Sequence, residues 1–341
     1  MRSLKKKSII LDTNFKSNIS FIKKRNMNYK IHNALFIIGT RKSGTTSLYD
    51  LLKKHSKYST SAFKETQFFT LPKEIIQNNI QWYLAQFEHP NNILEASTLY
   101  YIFNKSLENI YEFVDNPKFI IIIRDPAKRA YSSYNHMIKK NKKYEKRNFN
   151  YILRNIQKSD LKEIINQEQY HNKIAAKQKL INSNYADKNY LKKEFKLPFN
   201  FAYPKNLWPY NYLTESIYSQ KIPILENKYK NSICVLKFEK LIKCKEEEMI
   251  KLQNFLHNQI NLNFCNNFPK LNKTVFNNKN LIQKIIAQIT FSDGNRQKKS
   301  KISNSKIDAE TYNYLRYLLE EEYRFWFNRD EDLINYWKYN I

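Results

Sequence analysis

Glycine is nearly absent from this chain: there are three in 341 residues, beside three cysteines and nine prolines. With no glycine- or serine-rich stretch, a flexible linker between tethered parts is excluded. A residue this rare is expected where the backbone needs it, and two of the three, Gly39 and Gly44, fall in one short segment. Cys234, Cys244 and Cys265 are odd in number and lack metal-ligand spacing, which argues against a disulfide framework and a cysteine-held metal. Cys234 lies in an apolar strand pattern and reads as a buried thiol, and a reducing compartment is expected. Long apolar runs are missing too: nothing approaches the roughly 20 residues of a membrane-spanning helix. The N-terminus, with Lys5-Lys6-Lys7, is too polar for a signal peptide. No internal repeat is present. Acidic residues are the scarce sign, 31 against 59 basic, for a net charge of +28. That surplus favours anionic partners. It is mostly lysine, in a chain also rich in asparagine and isoleucine, and no nucleic-acid-binding signature accompanies it, so no nucleic-acid partner is expected.

The hydrophobic share of 42% is enough for a real core, and the most informative stretch within it is Phe36-Ile37-Ile38-Gly39-Thr40-Arg41-Lys42-Ser43-Gly44-Thr45-Thr46-Ser47-Leu48. An apolar run breaks into a polar loop and then a helix-forming sequence, the order of a strand, a phosphate-cradling loop and a helix N-terminus. Converging backbone N–H groups and a helix dipole of about half a charge would hold an anion there. The glycine spacing is that of the triphosphatase loop, but Thr45 stands where that motif has lysine, and Lys42 lies inside the loop. A second apolar run, Lys118 to Ile123, ends at Arg124-Asp125-Pro126. It reads as a strand buried on both faces, as in a parallel sheet. Pro126 can start the next helix, so Arg124 falls at the carboxyl end of the strand, the edge where open α/β sheets bind ligands. Ser132, about two helical turns on, is near enough to share an anion with Arg124.

Lysine inside the loop followed by Gly-Thr-Thr resembles the 5′-phosphosulfate loop of sulfotransferases that use 3′-phosphoadenosine-5′-phosphosulfate (PAPS). Arg124-Asp125-Pro126-Ala127-Lys128-Arg129-Ala130-Tyr131-Ser132-Ser133-Tyr134 resembles their 3′-phosphate motif, whose arginine and serine clamp that group. Lys64-Glu65-Thr66-Gln67-Phe68-Phe69 looks like the K-E-x-x-F-F segment of the heparan-sulfate-type carbohydrate sulfotransferases, in which the glutamate is the proposed general base. Trp82-Tyr83 with Phe87 is similar to the family's W-Y-x-x-x-F helix. Glu95-Ala96-Ser97-Thr98-Leu99-Tyr100 resembles its E-K-S-P-x-Y element, with Ala96 for the lysine and Thr98 for the proline. Asn231 to Leu241 reads as a late core strand with a family-like ending, and Glu246 to Leu256 as an amphipathic helix. The basic loop Gly294 to Lys301, before a helix from Asp308 to Phe327, resembles the loop that closes over the donor.

The resemblance implies a P-loop-type three-layer α/β fold with a central parallel β-sheet flanked by helices. A basic tail over residues 1–30 precedes one domain over 31–341, with 139–213 as a variable, acceptor-side insertion containing a helical stretch, Tyr151 to Gln169, and an ordered aromatic loop, Leu197 to Tyr210. It also implies PAPS as sulfuryl donor and PAP as product. Arg41, Lys42, Ser43, Gly44, Thr45, Thr46, Ser47, Arg124, Ser132, Arg296 and Lys301 would hold the donor. Glu65 would be the base, Lys42 would stabilise the leaving group and His136 would touch the acceptor, a glycan or sugar-containing molecule. No metal is required for such electrostatic catalysis. Golgi relatives carry a membrane anchor, so a cytoplasmic, bacterial-type enzyme is the expectation here. Two alternatives use part of the same pattern: a P-loop kinase, which needs lysine after the second glycine, and a non-catalytic polyanion-binding protein, which has no need of Glu65.

Overall fold

The computed structural model describes residues 30–62, 64–140, 149–154, 157–161, 211–243, 246–257 and 307–338. Five strands form one parallel sheet in the order β3-β4-β2-β6-β7: β2 (Ala34–Gly39), β3 (Ser59–Thr60), β4 (Ile93–Ala96), β6 (Lys118–Ile123) and β7 (Ile233–Lys237). A short parallel pair, β1 (Ile31–His32) and β5 (Val114–Asp115), stands beside it. The helices that bear on the site are α1 (Thr45–His55), α2 (Lys73–Leu84), α3 (Leu99–Ile102), α4 (Asn104–Phe113), α5 (Pro126–Lys140), α6 (Phe149–Arg154), α7 (Asn211–Thr214), α8 (Ile222–Tyr229), α9 (Phe238–Ile242), α10 (Glu246–Phe255), α11 (Ala309–Leu318), α12 (Glu320–Arg329) and α13 (Leu333–Tyr336).

The period-2 geometry of strands explains why the central runs are apolar at every position. Leu35, Ile37, Ile120 and Ile122 face one layer, packed with Leu48 and Leu52 of α1 and Met249 and Leu252 of α10. Phe36, Ile38, Phe119, Ile121 and Ile123 face the other, with residues of α2, α4, α5, α8, α11 and α12. This is the three-layer α/β arrangement with helices on both faces. Each fully buried aliphatic side chain contributes about 1.5–3 kcal/mol by removal from water. Phe68 and Phe69 are core residues, stacked and edge-on against Tyr83.

Two expected boundaries shift. The late strand ends at Lys237, and Phe238 to Ile242 form α9 instead. The single helix expected from Asp308 to Phe327 is two helices meeting at Leu319, whose φ of −103° and ψ of 21° interrupt the spiral. Its cause is local. Glu320, Glu321 and Glu322 supply the acidic first turn that favours a fresh helix start, and Leu319 is itself buried at the joint. Residues 1–29, most of the 139–213 block with its aromatic loop, Cys244, Cys265 and the basic loop with Arg296 and Lys301 lie outside the described residues. Of the helix expected from Tyr151 to Gln169, α6 and a helical turn through Leu161 are described. No helix of the described residues is long and apolar enough to cross a membrane.

Candidate active site

The carboxyl ends of β4, β2, β6 and β7 stand side by side and carry the expected residues. At the end of β2 the chain folds into the loop Thr40 to Gly44. The Thr40 hydroxyl donates to Ile122 O at 2.9 Å, so the proton in its 2.7 Å contact with Ser43 Oγ comes from Ser43. Thr40 N also donates to Ile122 O, at 2.9 Å, which bolts the loop to β6. Lys42 has φ 69° and Gly44 φ 88°, both left-handed. The glycines are where the backbone demands them. A Cβ on Gly44 would meet the Phe238 ring at 2.6 Å, and one on Gly39 would meet Tyr101 Cβ at 2.7 Å. α1 begins at Thr45 with no side-chain cap, and the amides of Thr45 and Thr46, in its first turn, have no carbonyl within the helix to bind.

Arg124 reaches across from β6, donating from Nη1 to Lys42 O at 2.9 Å, with its guanidinium 5.0 Å from the Phe238 ring centre. Its Nε is buried, has no hydrogen-bond partner among the described residues and lies 4.0 Å from Glu239 Oε1. The next residue, Asp125, is fully buried and caps α5 by accepting from Lys128 N at 3.1 Å. It also accepts from Tyr312 and Tyr323 hydroxyls at 2.8 and 2.7 Å, so the interrupted C-terminal helix pair delivers two donors to one carboxylate. Glu239 accepts from Asp125 N at 3.1 Å and Trp337 Nε1 at 2.9 Å. Burial, then the Asp125 charge, pushes the Glu239 carboxyl up to about 7, against the pull of Arg124 and the Trp337 N–H.

Arg41 is gripped bidentately by Glu215, its Nε at 2.8 Å from Oε2. Arg129, with no exposed surface, donates to the same Glu215 at 3.3 Å, to Ser216 Oγ at 2.6 Å and to Tyr212 O at 2.6 Å. The segment just after the 139–213 block is thereby tied to the loop.

On the other side, at the end of β4, Glu65 sits with φ 66° and its N–H on Ala96 O at 3.1 Å. Lys64 Nζ donates to Glu65 Oε1 at 2.5 Å, and Thr98 donates to Oε2 from its N–H at 2.8 Å and its hydroxyl at 3.2 Å. Beneath them Glu95, fully buried, accepts from the hydroxyls of Thr66, Ser97, Tyr83 and Tyr100 at 2.5, 2.5, 2.6 and 2.9 Å. Burial raises its pKa despite these donors.

The structure therefore brings Arg41 to Ser47, Glu65 and Arg124 to one sheet edge. Ser132 and His136 are half-buried one turn apart on α5, which starts beside Arg124; Arg296 and Lys301 are outside the described residues. Sequence reasoning missed Arg129, although it lies within the Arg124–Tyr134 motif, and it missed Asp125, Glu215, Glu239 and the Thr98 N–H. Only Arg129 and Asp125 had a signal, as charged residues beside a buried strand. Among the described residues no cluster of His, Cys, Asp and Glu could hold a metal ion.

The sulfotransferase domain family model matches residues 32–332, and the chain belongs to that family. Heparan sulfate glucosamine 3-O-sulfotransferase 5 of Mus musculus is 36% identical over 117 residues, 32% of this chain and 33% of that protein. Bifunctional heparan sulfate N-deacetylase/N-sulfotransferase 4 of Mus musculus is 34% identical over 110 residues, 29% of this chain and 12% of that protein. The matched stretches thus span a third or less of these curated relatives. The crystal structure of a sulfotransferase from Alicyclobacillus acidocaldarius aligns with TM-score 0.46 and 17% identity, over 84% of this chain and 96% of that one.

Proposed function

We propose that this protein transfers a sulfuryl group from PAPS to a hydroxyl or amine of a carbohydrate acceptor. The observation that carries the reading is the 2.9 Å bond from Arg124 to the carbonyl of Lys42, which makes the loop and the arginine one anion-facing unit, with Glu65 on the neighbouring strand end. The N–H groups at the start of α1, with Ser43, Thr45, Thr46 and Ser47 around them, receive the 5′-phosphosulfate, and Arg41 contributes through the backbone that Glu215 steadies. Arg124, whose buried Nε has no hydrogen bond among the described residues, and Ser132 on α5 receive the 3′-phosphate. Arg296 and Lys301 are assigned to the donor on the resemblance alone, and His136 to the acceptor.

In the transfer, the acceptor oxygen or nitrogen forms a bond to sulfur as the sulfur–oxygen bond to the 5′-phosphate breaks. The acceptor's proton passes to Glu65, and negative charge grows on the leaving phosphate, where the Lys42 ammonium and the loop N–H groups meet it. The similarity to heparan sulfate sulfotransferases supports a glycan as the acceptor.

The test is calorimetry of PAP beside ATP, each with and without magnesium, followed by labelled PAPS against a glycan panel. Magnesium-independent PAP binding with no comparable ATP binding, and label in a glycan, are expected. Magnesium-dependent ATP binding would instead indicate a kinase, and PAP binding without transfer to any glycan would remove the carbohydrate assignment.

A further inference from the structure

We infer that Thr98 is a positioning residue for Glu65: its N–H and hydroxyl hold one carboxylate oxygen, Lys64 holds the other, and a single lone-pair direction is left to take the acceptor's proton. The inference rests on the reading of Glu65 as that proton's destination. An ionised carboxylate offers about four lone-pair sites. Among the described residues three donors reach Glu65, namely Lys64 Nζ, Thr98 N and Thr98 Oγ1, at 2.5, 2.8 and 3.2 Å. The remaining site fixes the direction from which an acceptor hydroxyl or amine must approach.

The backbone beneath is organised for the same end. Glu65 and Gln67 are both left-handed, at φ 66° and 55°, a conformation that non-glycine residues keep only where the surroundings impose it. Four consecutive residues impose it. Glu95 accepts from the Thr66 hydroxyl at 2.5 Å, and Ala96 O accepts from Glu65 N at 3.1 Å. Ser97 Oγ accepts from Gln67 N at 2.9 Å, and Thr98 takes the Glu65 carboxylate itself. The first three bonds hold the Thr66 side chain and the main-chain amides of Glu65 and Gln67; only the fourth reaches the side chain that would react. Thr98 is 7% exposed, so water competes poorly for these bonds.

The residue type at 98 matters for a simple reason. Its φ of −69° is one that proline also adopts, so a proline would fit the backbone and yet offer Glu65 neither an N–H nor a hydroxyl. Thr98 offers both. Of the two departures from the family's element at Glu95 to Tyr100, Ala96 removes a cation and Thr98 adds two donors. Lys64 places a cation on Glu65 Oε1.

The experiment uses the full chain, with Thr98→Ser, Thr98→Val and Thr98→Pro made alone and in a Glu65→Gln background. Turnover at saturating PAPS and acceptor, acceptor KM, PAP affinity and melting temperature are measured for each. Loss of aim at a reacting group costs about tenfold to a hundredfold, so Thr98→Pro should lose turnover in that range with PAP affinity within about twofold. Thr98→Val should fall between wild type and proline, and Thr98→Ser should restore turnover because both donors return. In the Glu65→Gln background the proline substitution should cost nothing more, since residues acting through one group are not additive. If Thr98→Pro melts early, Thr98→Val, which keeps the N–H and the shape, carries the test. Wild-type turnover in both variants, or an equal loss with and without Glu65, overturns the positioning role. Glu65→Gln at wild-type turnover overturns the base assignment first, and the two failures are therefore distinct.

Discussion

Where β2 and β6 end, buried charges are tied down by residues from far along the chain, whereas where β4 ends the carboxylate of Glu65 is held by adjacent Lys64 and by Thr98, above the buried Glu95. On the β2/β6 side, Arg129 and Asp125 have no exposed surface, and Glu215 and Glu239 little. Their partners come from α7 and the turn just after it, α9, α11 and α12. On the β4 side, Lys64 and Glu65 keep 21% and 19% of their side-chain surface exposed, and the buried Thr98 fastens Glu65 from 33 positions on. A donor common to a whole family needs a cradle that does not change, and pre-oriented dipoles and buried ion pairs supply that rigidity. An acceptor that differs from one enzyme to the next is better met by a few adjustable contacts. The departures Ala96 and Thr98 both fall on the β4 side, as this contrast expects.

The largest effect should come from the donor side. Lys42→Ala should reduce turnover by about 10² to 10³, the range for losing one preorganised transition-state donor, while PAP affinity falls less because the backbone cradle and Arg124 remain. Lys42→Arg should rescue poorly, since a planar fork does not replace a compact ammonium. Turnover at saturating PAPS compared with the PAP dissociation constant reads the split. Unchanged turnover with greatly weakened PAP binding would make Lys42 a ground-state anchor only.

Next comes the acceptor side. Glu65→Gln should lower turnover by about 10² through loss of the proton acceptor, with PAP affinity within a few-fold. If PAP binding collapsed with it, the two ends of the edge would be one unit and the contrast drawn above would dissolve.

Arg124→Ala should weaken PAP by about 1.5–3 kcal/mol as a lost charge-assisted contact, and Ser132→Ala by about 1 kcal/mol. Titration with a nucleotide lacking the 3′-phosphate sharpens this: Ser132→Ala should leave it unaffected, and Arg124→Ala should cost it less than it costs PAP. Equal losses for both nucleotides would detach these residues from the 3′-phosphate.

The last effect is on stability rather than on the reaction. Glu239 keeps its proton in the fold up to about pH 7, but in the unfolded chain it releases it from about pH 4.5. Its contribution is fully present below the lower value and is lost as pH rises through the upper one, with a limiting slope of about 1.4 kcal/mol per pH unit. Glu239→Gln should flatten that part of the denaturation profile. A wild-type slope retained in the variant would place the titration elsewhere.

The residues legible in the sequence share one property: each belongs to an unbroken run in which strand, turn and helix follow directly. Phe36 to Leu48 and Lys118 to Tyr134 are such runs, so the parallel core, the loop and the position of Arg124 could be read from spacing. Glu215 and Glu239 could not, because they act on Arg41 and Asp125 across 174 and 114 positions. The break at Leu319 was hidden for a related reason. The periodicity of 308–327 is helical throughout, and what stops the helix is a buried joint and a second acidic start.

Sequence by itself determined the order of elements and the chemistry offered at each strand end, because backbone geometry and side-chain type act within a few residues. It determined that scarce glycines would stand at the loop; the tertiary structure decided why, since it is the Phe238 ring and Tyr101 that leave no room for a Cβ. The tertiary structure alone decided that Thr98, a departure from pattern in the sequence, is a donor to Glu65. Hydrogen bonds and buried charges depend on distance in space, and only folding sets that distance for residues far apart in the chain.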